Sequence, residues 1–156
     1  MSDLSLLSPR LSPQKARMMS PLELAFVGDS VHALLVRTHL SGHNLKVHDM
    51  HLSAARSVSA VQQSRAMARL LPLLTEDEAD VARRGRNAHA HHAAPKSASY
   101  VEYAGATGLE ALLGYLFLTG QTDRLLEIEH IITHAEDQEN AQNSTHGDAA
   151  HPYPRP

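Results

Sequence analysis

Residues 20–40, SPLELAFVGDSVHALLVRTHL, restrict the fold of this chain more than any other stretch. Ser20 stands as an N-cap, Pro21 takes the first helical position and Glu23 follows three residues after the cap, a pattern that starts a helix. Beyond it, apolar residues fill two stripes of a helical wheel. Leu22, Ala25, Phe26, Ala33 and Val36 form one, and Leu24, Val27, Val31, Leu34 and Leu35 the other. A helix apolar all round is expected to be buried. Yet Asp29 falls on the first stripe, seven residues after Leu22 and seven before Val36. Burying a carboxylate is costly unless it is paired or binds a metal, so Asp29 requires a partner.

Glu110 is the partner that the pattern offers. It sits in TGLEALLGYLFL, residues 107–118, among Leu109, Leu112, Leu113 and Leu116. Each acid has a glycine close by, Gly28 directly before Asp29 and Gly114 one turn after Glu110. Glycine inside a helix costs about 1 kcal/mol relative to alanine, and close approach of two helix backbones is a reason to keep it. Such an approach would bring the two acids together. Like charges in an apolar setting call for a divalent cation, and an all-oxygen ligand set suits Mg2+ or Mn2+ rather than zinc. The alternative is that each acid pairs with an arginine elsewhere and only holds the fold. Spacing alone leaves both readings open.

The same stretches resemble a known family. ELAFVGDSV (residues 23–31) is similar to the signature helix of the ribonuclease III catalytic domain, and TGLEALLGYLFL to its last catalytic helix. The form without a double-stranded-RNA-binding domain is matched further. Arg84–Asn87 read RGRN, Pro95 and Lys96 follow, and Val58–Ala60 read VSA with Gln62 and Gln63 after them. The resemblance covers about residues 20–126 and implies an all-α, dimeric helical bundle. It further implies a magnesium-dependent endoribonuclease that cuts double-stranded regions of structured RNA, leaves a 5′-phosphate and matures the large-subunit (23S) ribosomal RNA precursor. Leu22, Ala25 and Thr107 occupy places where full-length relatives carry further carboxylates, and Arg65 stands near a place where relatives often have another. Thr107 agrees with the form that lacks the RNA-binding domain. The other departures leave the number of metal ions open and leave room for a second function, a catalytically silent RNA-binding or ribosome-assembly protein of the same shape.

In this reading Asp29 and Glu110 are the catalytic pair and the metal ligands. Arg83, Arg84, Gly85, Arg86, Asn87 and Lys96 belong to an RNA-binding loop, since arginine forks and backbone amides grip phosphates. A solvated basic loop neutralised by Glu76, Asp77 and Asp80 is the plainer account of the same residues. His51 is a further candidate for phosphate contact, with an ordinary capping role as its alternative. His89, His91 and His92 cluster without any standard zinc spacing.

The rest of the chain sets bounds. With 156 residues and a net charge of −3, the protein is one domain and no general polycation, so affinity for RNA must come from a local patch. It has no cysteine, which excludes disulfides and thiolate sites and accords with a cytoplasmic location. No run is apolar enough to span a bilayer, and the N-terminus does not read as a signal peptide. Residues 1–19 are expected to be a mobile leader, 20–135 the catalytic domain and 136–156 a disordered tail. Between them a loop is expected over 42–51 and a helix over 52–71 with Val58, Val61, Ala68 and Leu71 on its apolar face. A short helix opened by a capping-box pattern of Thr75 and Glu78 should end at Gly85. A loop is expected over 85–99, then a short helix around 100–104, the Glu110 helix and a last helix from Thr122 to about His134.

Overall fold

The computed structural model describes residues 10–88 and 99–146. Every element among them is a helix: α1 (Pro13–Met18), α2 (Pro21–Ser41), α3 (Val47–Ser57), α4 (Ala60–Leu70), α5 (Glu76–Asn87), α6 (Tyr100–Leu118) and α7 (Thr122–His146), with a 3-10 turn at Leu71–Leu73. None of them is long and apolar enough to cross a membrane.

Helix α6, rather than α2, is the centre of the bundle. Its residues from Ala104 to Leu109 and from Ala111 to Leu116 are all buried, and its neighbours are α2, α4 and α5. Small residues let all three approach. A Cβ on Gly114 would stand 1.9 Å from the Leu24 carbonyl oxygen of α2, one on Gly105 would stand 2.4 Å from the Ser64 hydroxyl of α4, and one on Gly108 2.9 Å from the Ala82 carbonyl oxygen of α5. The remaining space is filled by Leu24, Met67, Leu70, Leu109, Leu112, Leu113, Leu116, Ile128 and Ile132, all essentially excluded from water. Burial of a leucine side chain contributes about 1.5–3 kcal/mol, so this layer supplies most of the driving force.

Helix α2 begins as the sequence dictates. Ser20 and Glu23 form a reciprocal capping box, with the Ser20 amide donating to the Glu23 carboxylate at 2.8 Å. Its burial differs from expectation. Phe26 is 81% exposed and Leu34 63%, so the helix keeps an apolar stripe facing outward and only its inner side joins the core.

Several boundaries are corrected by tertiary contacts. The expected single helix over 52–71 is two helices, because Ser59 caps a new one by accepting from the Gln62 amide. Its buried face is Gln63, Ala66, Met67 and Leu70, while Ala68 and Leu71 point outward. The loop expected over 42–51 gives way to α3 from Val47 onward. The 100–104 helix and the Glu110 helix are one continuous α6, started by a Ser99–Glu102 capping box. Gly105 and Gly108 look like breakers in sequence, but packing against α4 and α5 compensates their weak propensity.

Both ends of the described chain are more ordered than composition predicts. Of the expected leader, residues 10–19 dock on the bundle. Ser12 caps α1, Ala16 is fully buried and the Leu11 amide donates to the Leu118 carbonyl at 2.8 Å. Of the expected tail, residues 136–146 extend α7. Glu136 accepts from the Ser57 hydroxyl, Asp137 bonds His39, and Glu139 pairs with Arg69. These residues are polar yet helical because their partners lie on α2, α3 and α4. Residues 1–9 and 147–156 of the two segments lie outside the described residues.

Candidate metal centre and nucleic-acid interface

The crossing of α2 over α6 builds the site. A Cβ on Gly28 would lie 1.7 Å from the Glu110 carbonyl oxygen and 2.8 Å from the Gly114 amide nitrogen. No residue with a side chain fits there without pushing backbones apart. Gly28 and Gly114 thus face each other across the crossing, and Asp29 is carried to the side of Glu110 as the glycine pair led one to expect.

The two acids differ in setting. Asp29 stands exposed at the surface of α2, against the expectation of burial, whereas Glu110 is half-buried on α6. Burial, first, and the negative charge of Asp29, second, push the Glu110 carboxyl up to about 7. Two groups oppose that rise, a hydrogen bond from Gln63 and the charge of His32. Among the described residues neither acid is paired with an arginine.

Gln63 was overlooked as a site residue by sequence reasoning. It is buried on α4 and its amide nitrogen donates to the Val58 carbonyl at 2.9 Å, while its Oε1 is buried without a hydrogen bond. The available signal was a polar residue within the buried stripe of α4, the same kind of anomaly that singled out Asp29. His32 lies deeper, fully buried, with Nδ1 3.2 Å from the Glu129 carboxylate. Burial alone would lower its pKa, but Glu129, Glu136 and the Ser57 backbone together raise it.

This arrangement fits a hard divalent cation. It offers two oxygen donors of like charge, and burial together with Asp29 raises the Glu110 carboxyl to about 7. Thr107, one turn before Glu110, is buried and spends its hydroxyl on the Tyr103 carbonyl at 3.1 Å, so it adds no carboxylate. When bound to Asp29 and Glu110, such a cation would supply Lewis acidity toward water and a phosphate.

The arginine-rich segment is helical as far as Asn87 rather than a loop from Gly85. Gly85 is not a helix terminus. It is buried against α6, where a Cβ would come 2.8 Å from that of Ala111. Arg84 is turned inward and donates to the carbonyls of Arg17 at 2.7 Å and Met19 at 3.2 Å, tying α1 to α5. Arg83 is exposed and pairs with Asp80. Arg86 and Asn87 are exposed at the end of α5, and Arg86 runs across Gly108, whose Cβ would meet its Cγ at 2.7 Å. His51 is exposed on α3. Lys96, with His89, His91 and His92, lies outside the described residues.

Comparison with known proteins agrees with this geometry. Residues 22–121 match the family model described as Ribonuclease III domain. The chain belongs to the ribonuclease III family. Membership makes it an endoribonuclease. It is 49% identical to the Mini-ribonuclease 3 of Symbiobacterium thermophilum over 111 residues, spanning 70% of this chain and 85% of the relative. Against the Mini-ribonuclease 3 of Desulfitobacterium hafniense the identity is 45% over 115 residues, 73% of this chain and 72% of the relative. A crystal structure of a protein from Fusobacterium nucleatum superposes with a TM-score of 0.70 at 28% identity, covering 77% of this chain and 96% of that one. The ribonuclease III match begins at Leu22 and ends at Gln121, so it contains α2 and α6 and leaves out α1 and α7.

Proposed function

We propose that this chain is a magnesium-dependent endoribonuclease of the cytoplasm that cuts double-stranded regions of structured RNA, with maturation of the large-subunit (23S) ribosomal RNA precursor as its task. The observation that carries the reading is the Gly28–Gly114 crossing, which sets Asp29 beside a Glu110 whose pKa their proximity helps to raise. Mn2+ would serve in place of Mg2+ because the donors are all oxygen.

Asp29 and Glu110 hold and orient rather than attack. Gln63 faces Glu110 from α4 and favours its ionised form. Water adds in line at phosphorus and the 3′ oxygen leaves, giving a 5′-phosphate and a 3′-hydroxyl. Duplex RNA is gripped by its phosphates and 2′-hydroxyls, and Arg86 and Asn87 are the exposed groups at the end of α5 suited to that contact. Arg83 can join them by leaving Asp80. Lys96 and His51 remain candidates for the same surface. Arg84 and Gly85 serve instead by holding α5 in place.

Cutting both strands requires two sites, most simply from two protomers about a two-fold axis. The outward apolar stripe of α2 with Phe26 and Leu34 supports a homodimer through this helix. The test is incubation of the purified protein with duplex RNA and Mg2+, beside Asp29→Asn. Ion-dependent cleavage that vanishes in the variant, with RNA binding retained, is expected. Binding without cleavage under Mg2+ or Mn2+ would favour instead a silent RNA-binding or ribosome-assembly protein, the reading that the carboxylates missing at Leu22 and Ala25 keep open.

A further inference from the structure

At the far end of α2 a second constellation gathers borderline rather than hard ligands. His39 is in the last turn of the helix and His43 in the turn beyond its cap, while Asp137 reaches them from the polar extension of α7. One ligand atom from each of the three lies within 4.8 Å of the others. His39 Nε2 and Asp137 Oδ2 are 3.1 Å apart. Two donors on one tetrahedral zinc stand about 3.3 Å apart, given bonds of about 2.0–2.1 Å, so this pair already has the spacing of co-ligands. His43 is oriented as well. Its Nδ1 lies 3.0 Å from the His39 carbonyl, so it donates there and leaves Nε2 as the free lone pair. Imidazoles that bind metal commonly spend their other nitrogen in this way. The three residues line a cleft of about 500 Å3 between the ends of α2 and α7, which leaves room for a water as fourth ligand.

We infer that His39, His43 and Asp137 form a transition-metal site, for Zn2+ or a similar divalent ion, that clamps the α7 extension to the end of α2. The site is separate from the oxygen-only pair at Asp29 and Glu110. Two imidazoles and a carboxylate prefer zinc over magnesium. His43, an exposed side chain on a turn, has the rotamer freedom to close onto an ion held by the other two. The consequence is mechanical. Glu136, Asp137 and Glu139 tie the polar part of α7 to α3, α2 and α4, and a bound ion would add a further cross-link at Asp137.

The experiment titrates the metal-free full-length protein with Zn2+ against a chromophoric chelator, with Co2+ as the spectroscopic probe. One equivalent is expected to bind, with the intense visible bands of four-coordinate cobalt. Affinity should fall at least about tenfold in His43→Ala and in Asp137→Asn. His43 is exposed, so its replacement leaves the bundle intact, as far-UV circular dichroism will verify. Hydrogen exchange in residues 135–146 should slow on zinc addition in the wild type and not in His43→Ala. His89→Ala/His91→Ala/His92→Ala is the control for the histidine cluster elsewhere in the chain, and Asp29→Asn for the hard-ion pair. Zinc binding that survives in both site variants, or that disappears in either control, overturns the assignment. So does the absence of any zinc-bound equivalent.

Discussion

Replacing Gly28 by alanine tests the α2–α6 crossing on which the site depends. The new methyl carbon would begin 1.7 Å from the Glu110 carbonyl oxygen and 2.8 Å from the Gly114 nitrogen. Ordinary contact needs about 3.4 Å, so the two helices must separate by about 1.7 Å at this point. The obstruction is backbone, which cannot rotate away as a side chain does. Overpacking costs typically 1–3 kcal/mol where side chains yield, and this case belongs at or above the upper end. The helix propensity gained by alanine, about 1 kcal/mol, offsets only part of that. A net loss of about 2 kcal/mol or more is expected in urea-induced unfolding. Gly42→Ala supplies the contrast, since its Cβ would meet only the His39 carbonyl oxygen at 3.4 Å, with an α-helical backbone. That variant should be neutral or slightly more stable. Activity should respond separately. A shift of about 1 Å between catalytic groups can cost about 100-fold, so folded Gly28→Ala should cleave RNA that much more slowly. Wild-type stability together with wild-type cleavage would refute the crossing as drawn.

Two further outcomes follow from the same site. The folded Glu110 carboxyl is raised from 4.5 to about 7, so the stability it confers is complete below its unfolded pKa and is lost as pH rises through about 7. Metal-free wild type should therefore lose up to about 3 kcal/mol between pH 4.5 and pH 8 that Glu110→Gln does not lose, and Mg2+ should restore it only in the wild type. Identical pH profiles for the two proteins in chemical unfolding would count against the shift. On the basic face, Arg86→Ala should weaken duplex-RNA binding and flatten its salt dependence, because phosphate contacts release counterions. Arg84→Ala should instead lower the melting temperature through loss of its bonds to Arg17 and Met19, with an unchanged salt slope. A steeper loss of salt dependence in Arg84→Ala than in Arg86→Ala would reverse the roles.

The parts legible in advance were those written in local pattern. Ser20 with Glu23 and Thr75 with Glu78 marked two helix starts because a capping box needs only residues three apart, and both are formed. The pairing of Asp29 with Glu110 was legible for a different reason. A glycine beside an acid in each of two apolar helices pointed to a close crossing, though the spacing by itself left pairing with arginines open.

What escaped was whatever depends on which surface meets which. Phe26 and Leu34 were expected inside, yet hydrophobicity does not say whether an apolar stripe meets the chain's own core or faces outward. Gly85 looked like a helix end and proved to be a contact with Ala111 of α6. In sequence Gln63 stands out only as part of the VSA tract, because its place beside Glu110 depends on how α4 packs against α6. The polar residues 136–146 read as disordered because their partners Ser57, His39 and Arg69 lie 79, 98 and 70 positions away from Glu136, Asp137 and Glu139. The order of residues alone determined the all-helical class and the capping boxes at Ser20 and Thr75, since each follows from backbone chemistry within a few turns. Tertiary structure alone decided how deep each acid sits, which arginine is spent on the fold, and how far α7 runs, because burial and ion pairing arise only when distant segments displace water from one another.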